Sequence, residues 1–424
     1  MSKRLRILLY VLSVLILILL GLCFAVKIKS DREMQTAETA LKTDGEGNGE
    51  NTDEKNENET EAIVWQEDET ESAAIDENES ETNASESKDA AADAATGKTS
   101  VTVADDTAKK TGATSLFFGC DVLLGNAVLA KYDKGGITGI LSEDLAELGK
   151  NADICMVNEE FPFSTRGVAV EEKQFTFRTD PKRATILTEL GVDVVSLANN
   201  HILDYGTDAL LDTIVTLDEV RVSHVGAGQT LSDAKQPVFL ERNGQTFGFV
   251  GASRVWPAAD WSATSTRPGV FGTYDATQLL EEIKEAKKQC DFLTVYVHWG
   301  LEYQAYPEDY ERTLAADYIA AGADAVVGTH SHCLQGIEFI DGKPVFYSLG
   351  NYIFGMNVDM AATVMFYVGE NGETSYRLLP AKSQNAYTES VDGQTAQNLY
   401  DYMEQISYNV TIDENGYILN RVNR

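Results

Sequence analysis

The chain has 424 residues, a formal net charge of −33, five histidines and five cysteines. No basic face or stripe stands out in this acidic sequence, which argues against nucleic acid as a partner. The cysteines match neither a zinc-knuckle nor a CxxC pattern, and a chain of this length does not need disulfides to fold.

The first 30 residues predict a membrane anchor. Residues 7–26 form an uncharged run rich in Leu, Ile and Val, about as long as a bilayer is thick. Basic residues flank this run on both sides, so the positive-inside balance alone does not orient it. We expect an uncleaved signal-anchor with its N-terminus inside, which makes the protein a single-pass protein of the cell membrane with an extracellular C-terminal domain. Cleavage after Ala25 is the alternative, although the apolar run exceeds a typical signal-peptide core.

Residues 31–110 predict a disordered acidic linker. They carry 24 acidic and 7 basic side chains and, apart from residues 63–65, almost nothing that could be buried. Such a segment is extended by its own charge repulsion and does not build a core. We therefore expect it to tether the rest of the chain as a spacer through the cell envelope.

Residues 111–424 predict one α/β domain, because apolar runs of strand length alternate with helical patterns. The predicted strands are 114–120, 153–157, 192–197, 247–251, 292–297, 324–328 and 345–349. The predicted helices are 140–149, 181–190, 208–219, 275–289, 308–321 and 395–406. Hairpin turns are expected at Asn243-Gly244, Asp341-Gly342 and Asn371-Gly372, and a closing hairpin at 414–416. The combination favours mixed sheets with helices packed outside.

Polar residues with the character of metal ligands follow several of these strands. Asn199, Asn200 and His201 come directly after the predicted strand 192–197, and four of the five histidines lie in such positions. Taken alone, this turn could be a capping asparagine with an incidental histidine. The arrangement recurs, however, in a set of six residues: Asp121, Glu160, Asn200, His298, His330 and His332. Open α/β sheets place their sites at the carboxyl ends of strands, and imidazoles bind borderline metals well, so we predict a metal centre here.

The motifs around these residues resemble those of the CapA-type proteins of poly-γ-glutamate capsule synthesis. The similarity covers roughly residues 114–410, and the motifs come in that family's order. They are Cys120-Asp121-Val-Leu-Leu-Gly125, Asn158-Glu-Glu160-Phe-Pro162, Phe177-Arg178, Ser196-Leu-Ala-Asn-Asn-His201-Ile-Leu-Asp204-Tyr-Gly206, His298-Trp-Gly-Leu-Glu302-Tyr303, Gly328-Thr-His330-Ser-His332 and Tyr347-Ser-Leu-Gly-Asn351-Tyr-Ile-Phe354.

The family is similar in turn to calcineurin-like metallophosphoesterases, which implies a sandwich of mixed sheets flanked by helices. The resemblance implies that Asp121 and His332 hold one divalent cation. It implies that Asn200, His298 and His330 hold a second, with Glu160 bridging the two. One or two ions of manganese, iron or zinc are expected, and the sequence does not identify which.

Further roles follow from the same resemblance. It implies that His201 is the general acid, oriented by Asp204. Two cations can clamp an anionic substrate and lower the pKa of a water between them, while an imidazole protonates the departing group. Supporting or substrate-binding positions are expected at Arg178, Glu302 and Asn351; Glu302 could fix a histidine tautomer. Arg178 could meet a substrate anion or form a surface salt bridge, and we expect Trp299 and Tyr303 to pack around the site.

The sequence departs from the phosphoesterase pattern at three positions. Those enzymes usually place a histidine two residues after the first aspartate, where this chain has Leu123, so the first metal site lacks a ligand. Cys120 stands where a small glycine is usual. Glu159 could restore the ligand count if it pointed inward, but strand alternation predicts that it points away from Glu160.

Three functions remain open at this stage. The first is an envelope-facing, metal-dependent hydrolase or transferase that acts on a phosphoester or on an amide of the capsule polymer. The second is a non-catalytic, polymer-binding or scaffolding subunit of a poly-γ-glutamate synthesis and export complex. The third, an extracellular adhesion domain, is disfavoured by the histidine pattern. Because the domain is acidic, it would repel free polyglutamate unless metal ions or a local basic groove intervened.

Overall fold

The computed structural model describes residues 112–421 of the chain. The predicted anchor and linker, residues 1–30 and 31–110, lie outside these described residues. Among residues 112–421, the longest helices have 14 residues, and none has both the length and the apolarity needed to cross a bilayer.

The elements are numbered in chain order. The strands are β1 Thr114–Val122, β2 Ile154–Glu159, β3 Val194–Ser196, β4 Ser223–Val225, β5 Ala227–Gly228, β6 Val238–Arg242, β7 Gln245–Ser253, β8 Gly269–Val270, β9 Phe292–His298, β10 Ala325–Thr329, β11 Ile337–Ile340, β12 Lys343–Phe346, β13 Asn351–Ile353, β14 Val358–Val368, β15 Thr374–Gln384, β16 Tyr387–Ser390, β17 Val410–Ile412 and β18 Ile418–Asn420. The helices are α1 Asn126–Gly135, α2 Glu143–Asn151, α3 Thr185–Glu189, α4 Thr207–Val220, α5 Leu231–Ala234, α6 Thr277–Lys287, α7 Asp309–Ala321 and α8 Gly393–Ile406.

The larger of the two main sheets has the strand order β16-β15-β14-β1-β2-β3-β4, with β13 paired to the end of β1. Strands β1 to β4 run parallel to one another, whereas β14, β15 and β16 are antiparallel. Every residue of β1 and β2 is buried. This explains their nearly continuous apolar sequences, since parallel strands are covered on both faces.

The second main sheet has the order β11-β12-β10-β9-β7-β6. Its four inner strands are parallel, and its two edge strands are joined to them by tight hairpins. The turns Asn243-Gly244 and Asp341-Gly342 have positive φ at both residues, between 49° and 77°. Such turns match the twist of the flanking strands, and Asn, Asp and Gly are the residues that adopt them at least cost.

The two sheets pack face to face with helices on the outside. Apolar residues of β1, β2 and β3 meet those of β7, β9 and β10 in the cluster between the sheets, which α8 and the β17–β18 hairpin extend. Helices α2, α3 and α4 cover the outer face of the first sheet, and α6 and α7 cover that of the second. Each fully buried Leu or Ile in these layers contributes about 1.5–3 kcal/mol of transfer free energy. The predicted mixed sheets with external helices are confirmed.

Most element predictions are confirmed, including the three internal hairpins and the closing one. The predicted helix 181–190 is instead a short 3-10 turn, Pro181–Arg183, followed by α3. Helix α1 was not predicted. Its only buried residue is Val128, so its sequence lacks the apolar stripe on which such a prediction depends.

Candidate metal centre

The parallel strands of both sheets end at a shared rim, where the six predicted ligand residues converge. Asp121 is the penultimate residue of β1, and Glu160 directly follows β2. Asn200 lies in the turn after β3, and His298 is the last residue of β9. His330 and His332 follow β10. Residues that are up to 211 positions apart in the sequence thus come within reach of one another because strand pairing aligns the carboxyl ends.

Two overlapping groups of side chains could each hold a cation. The first triad is Glu160, His298 and His330, and the second triad is Asp121, Glu160 and His332. Within each triad, one ligand atom per residue lies within 4.8 Å of the others, and all five residues are buried. Glu160 belongs to both triads, so its carboxylate stands between two potential cation positions.

In the first triad, His298 is oriented by a hydroxyl group that contacts the ring nitrogen remote from the site. His298 Nδ1 is 2.8 Å from Thr329 Oγ1, which leaves Nε2 facing the site. That Nε2 lies 2.9 Å from Asn200 Oδ1 and 3.6 Å from Glu160 Oε1. Asn200 therefore extends the first triad to four groups, as the family resemblance implies.

The second triad is held by amides. His332 Nδ1 lies 2.9 Å from Asn351 Oδ1 and 3.3 Å from Asp121 Oδ2, and its Nε2 lies 4.0 Å from Glu160 Oε1. Asn158 Nδ2 donates to Asp121 Oδ1 at 2.8 Å. Asn351 thus supports His332 directly, in agreement with its predicted position beside the site.

The backbone of the His-x-His segment is strained. His330 has φ 98° and His332 has φ 53°, a region that residues other than glycine rarely adopt. Each such conformation costs about 1–3 kcal/mol, and strain of this kind concentrates at functional sites. Here it turns both imidazoles toward the same carboxylate.

The cluster fits a divalent cation because several of its buried polar atoms lack hydrogen-bond partners. Among the described residues, both carboxylate oxygens of Glu160 and Nδ1 of His330 are buried without one. An ionised carboxylate is costly to bury unless it is paired or coordinates a metal. Imidazole and carboxylate are also the donor types that zinc, manganese and iron accept.

The pKa values of the histidines differ between the triads. Burial, and then the neighbouring imidazoles, lower the pKa of His298 and of His330 well below the ordinary value. Burial also acts to lower the pKa of His332, but the carboxylates of Glu160 and Asp121 outweigh it and raise that pKa to about 10. Burial and Asp121 raise the pKa of Glu160. The metal-free second triad therefore retains a proton that a cation would displace.

His201 stands beside the triads as part of a dyad with Asp204. Its Nδ1 lies 2.8 Å from Asp204 Oδ2, so the carboxylate favours the proton on Nδ1 and leaves Nε2 for exchange with a substrate. The ring packs against Phe177 with centroids 4.6 Å apart. Burial lowers the pKa of His201, although its hydrogen bond to Asp204 opposes the shift.

The turn that carries this dyad is capped by Asn199. Its Oδ1 accepts hydrogen bonds from the backbone N–H groups of His201 and Ile202 at 3.0 and 2.9 Å. Its Nδ2 donates to the carbonyl of Glu159 at 2.7 Å. The capping interpretation of the asparagine is therefore correct for Asn199, while the adjacent Asn200 turns toward His298.

Two supporting residues, Arg178 and Glu302, form no hydrogen bond to the histidines of the site among the described residues. The guanidinium of Arg178 is exposed, donates to the carbonyl of Arg166 at 2.7 Å and stacks on Tyr205. Within residues 112–421 it does not form the surface salt bridge that was one expectation, and its contact with a substrate anion stays a prediction. Glu302 is half-buried and acts on the pKa of Glu160, but Thr329, Asn351 and Asp204 are the groups that orient the histidines. Of the two carboxylates that the sequence suggested for fixing a histidine tautomer, only Asp204 contacts a histidine.

The remaining residues near the site behave largely as expected. Glu159 is buried with both carboxylate oxygens unpartnered, but it belongs to neither triad and so does not supply the missing ligand. Leu123 packs in the apolar cluster of the first sheet. Trp299 is buried and donates to the carbonyl of Tyr347 at 3.0 Å. Tyr303 is more than half exposed, and its ring centroid lies 6.3 Å from that of His332, so it borders the site and is not part of the core.

Sequence reasoning missed Lys173. Its ammonium group contacts the carbonyl of Asn200, the carboxylate of Asp204 and His201 Nδ1, the last at 3.0 Å. Lys173 lies in a loop without a recognisable motif, so nothing in its sequence context separates it from a surface lysine. Thr329 was also missed, although it lies inside the motif Gly328-Thr-His330-Ser-His332, because its partner His298 is 31 residues away in the sequence.

The comparisons with known proteins identify the family of the chain. The model of the family described as bacterial capsule synthesis protein PGA_cap matches residues 115–356, which span every residue of both triads. The chain belongs to this family.

Two relatives of the chain carry capsule-related names. The chain is 31% identical over 265 residues to the PGA biosynthesis protein CapA of Bacillus subtilis, covering 61% of this chain and 69% of that protein. It is 30% identical over 279 residues to the capsule biosynthesis protein CapA of Bacillus anthracis, covering 62% and 66%. Among solved structures, the NAD nucleotidase NadN of Haemophilus influenzae aligns with a TM-score of 0.38 and 13% identity over 70% of this chain and 57% of that one, a level that carries no functional conclusion.

Proposed function

We propose that this capsule synthesis protein of the PGA_cap family is a metal-dependent hydrolase with a calcineurin-like phosphoesterase site. Its substrate would be a phosphoester, or an amide of the capsule polymer. The observation that carries the proposal is the sharing of Glu160 by two buried triads. A carboxylate that bridges two cations, with a histidine–aspartate dyad beside it, is an arrangement suited to hydrolysis.

In this proposal, some residues of the site bind the cations and others orient the metal-binding histidines. Asn200, His298 and His330 would hold one divalent cation, Asp121 and His332 a second, and Glu160 would contact both. When bound, the cations supply charge stabilisation for an anionic transition state and a water with a lowered pKa. Thr329 and Asn351 keep the ligand nitrogens of His298 and His332 directed into the site.

His201 would donate the proton that the leaving group needs. Asp204 keeps the ring in one orientation through Nδ1, so Nε2 is the nitrogen that delivers the proton. The ring is largely buried and covered by Phe177, which limits access of bulk water to the dyad. General acid catalysis of this kind contributes about 10²–10⁴-fold to a rate.

The proposal extends to location and partners. The apolar run at 7–26 would anchor the protein in the cell membrane, and residues 31–110 would hold the domain away from it on the extracellular side. The names of the Bacillus relatives support a place among the subunits that make or export poly-γ-glutamate. Since this chain is strongly acidic, contact with that polyanion would be confined to the cation-bearing site.

A second candidate function is a non-catalytic subunit that binds polymer or stabilises a capsule-synthesis complex. The observation that favours it is the side chain at position 123, which is an apolar leucine packed in the core where related hydrolases carry a ligand. The second triad is left short of one donor, so such a role would need metal only in the first triad. Metal would then serve folding or polymer contact without turnover.

Metal analysis and a hydrolysis assay separate the two functions. Purified full-length protein should contain divalent metal, and bis(4-nitrophenyl) phosphate should be hydrolysed. Asp121→Asn and His332→Ala should lower the metal content, because each removes a donor of the second triad. His201→Ala should keep the metal and lose turnover. The matched control is His224→Ala, which removes the fifth histidine, on β4 and outside both triads.

Two results would decide against the proposal. Unchanged metal content in both Asp121→Asn and His332→Ala would refute the ligand assignment. Metal without turnover in the wild-type protein, together with loss of capsule in a strain that lacks residues 1–30, would support the non-catalytic subunit.

A further inference from the structure

Lys173 is the one cationic side chain that the structure brings into direct contact with the dyad, among the described residues. Only 14% of its side chain is exposed, and its partner Asp204 is fully buried. Burying an ammonium group costs free energy unless the group is paired with an anion. The contact with Asp204 is therefore an integral part of the site.

Three separate segments meet at this ammonium group. It donates to the carboxylate of Asp204 and to the carbonyl of Asn200, both in the turn after β3. It also lies over the ring of Trp261, 5.1 Å from the centroid. Lys173 itself belongs to the loop at residues 164–178. Its ammonium group therefore holds this loop near the dyad.

Asp204 accepts several hydrogen bonds from this loop. Besides Lys173, its carboxylate accepts from His201 Nδ1 and from the backbone N–H of Phe177, the latter at 2.7 Å. Its carbonyl accepts from the N–H of Val170 at 2.9 Å. With three donors on two oxygens, the carboxylate has one orientation, and the imidazole that binds to it has one as well.

We propose that Lys173 is a positioning residue of the hydrolytic site, which holds Asp204 and through it the ring of His201 in the orientation that delivers a proton from Nε2. This inference rests on the proposed function, because it assigns Lys173 a part in proton delivery. A lysine that merely clamped the loop would have the same contacts. The two roles differ in which substrates lose rate when the lysine is removed.

The leaving group provides the distinction. Nitrophenolate departs readily as an anion and needs little help from a general acid, whereas phenolate needs much more. A mispositioned His201 should therefore slow the hydrolysis of diphenyl phosphate far more than that of bis(4-nitrophenyl) phosphate. General loosening of the site should slow both to a similar extent.

The experiment compares Lys173→Met with Lys173→Arg in manganese-loaded full-length protein. We expect Lys173→Met to lower kcat for diphenyl phosphate about 10- to 100-fold with KM nearly unchanged, and kcat for the nitrophenyl ester less than about fivefold. His201→Ala should show the same preference between the substrates. Lys173→Arg keeps the charge and should recover much of the loss. Lys182→Met, at an exposed lysine of the neighbouring turn, is the matched control.

Equal losses on both esters, or loss of bound manganese in Lys173→Met, would overturn the positioning role. Hydrogen exchange of the 164–178 segment gives a second readout that needs no turnover. Since the amides of Val170 and Phe177 both donate to Asp204, Lys173→Met should accelerate their exchange and Lys182→Met should not. If the wild-type protein hydrolyses neither ester, the proposed function fails. Accelerated exchange would then leave Lys173 as a structural anchor of Asp204 without a part in proton delivery, and unchanged exchange would overturn that anchoring as well.

Discussion

The two triads share Glu160, and all of their residues are buried. The pKa values of their histidines are nevertheless shifted in opposite directions. In the first triad, the pKa values of His298 and His330 are lowered well below the ordinary value. In the second, the pKa of His332 is raised to about 10. At neutral pH and without metal, the first triad therefore presents neutral imidazoles, and the second presents an imidazolium.

Burial alone cannot explain this difference, because it lowers the pKa of all three histidines. The difference lies in the anions that each ring contacts. Asp121 Oδ2 lies 3.3 Å from His332 Nδ1, whereas the main charged neighbours of His330 are other imidazoles and Lys173. The imidazoles of the first triad are ready to accept a cation, while the imidazole of the second must first release a proton. Metal sites of similar composition can thus differ in how strongly protons compete with the metal.

The largest expected effect comes from removing the shared residue. Glu160→Gln keeps the size of the side chain but removes the charge common to both triads, so metal should be lost from both, with affinity lowered at least about 100-fold. The measurement is metal content after dialysis against a defined free concentration of manganese. Glu159→Gln is a demanding control, since it alters the adjacent buried carboxyl, which belongs to neither triad. Retention of one full equivalent by Glu160→Gln would show that the triads are independent.

The pH dependence of metal binding should distinguish the triads next. Since the second triad binds metal only after His332 loses its proton, its affinity should rise about tenfold per pH unit between pH 6 and 8.5, which remains below the pKa of about 10. The first triad, whose imidazoles are already neutral, should respond less. Calorimetric titration in buffers with different ionisation enthalpies would count the released protons. Equal proton release on filling both sites would contradict the comparison.

A smaller, separate effect is expected at Glu311, which lies behind the segment that follows His298. A Cβ atom at Gly300 would be 2.9 Å from its Oε1, and burial raises the pKa of Glu311 to about 7. Between the ordinary value of 4.5 and pH 7, only the unfolded state ionises, so the free energy of unfolding falls as pH rises through this window. Glu311→Gln should remove that decline and be more stable than wild type above pH 7, by on the order of 3 kcal/mol.

Urea unfolding at pH 5 and pH 8 in the presence of a chelator would measure this effect, with the exposed Glu281→Gln as control. The result sharpens the comparison of the triads because it separates a proton effect on folding from a proton effect on metal binding. An unchanged pH slope in Glu311→Gln would mean that its carboxyl does not titrate in this window.

Much of the fold could be predicted because its signals are local. Strands β1, β2, β9 and β10 are continuous apolar runs, and the hairpins carry Asn-Gly or Asp-Gly at their turns. Helix α4 has buried residues on one stripe from Ala209 to Leu217. Helix α1 escaped prediction because its packing, and not its pattern, keeps it in place.

The sequence by itself determined the chemical types of the site residues and their position at strand ends. Parallel pairing aligns those ends, so convergence followed from the order of strands and helices. The tertiary structure decided the rest: that Glu160 and not Glu159 joins both triads, that Thr329 and Asn351 orient the histidines, that Lys173 reaches Asp204, and that His332 holds a proton where His330 does not. These properties depend on distances between side chains far apart in the chain, and on the burial that strengthens their charges, neither of which a local pattern encodes.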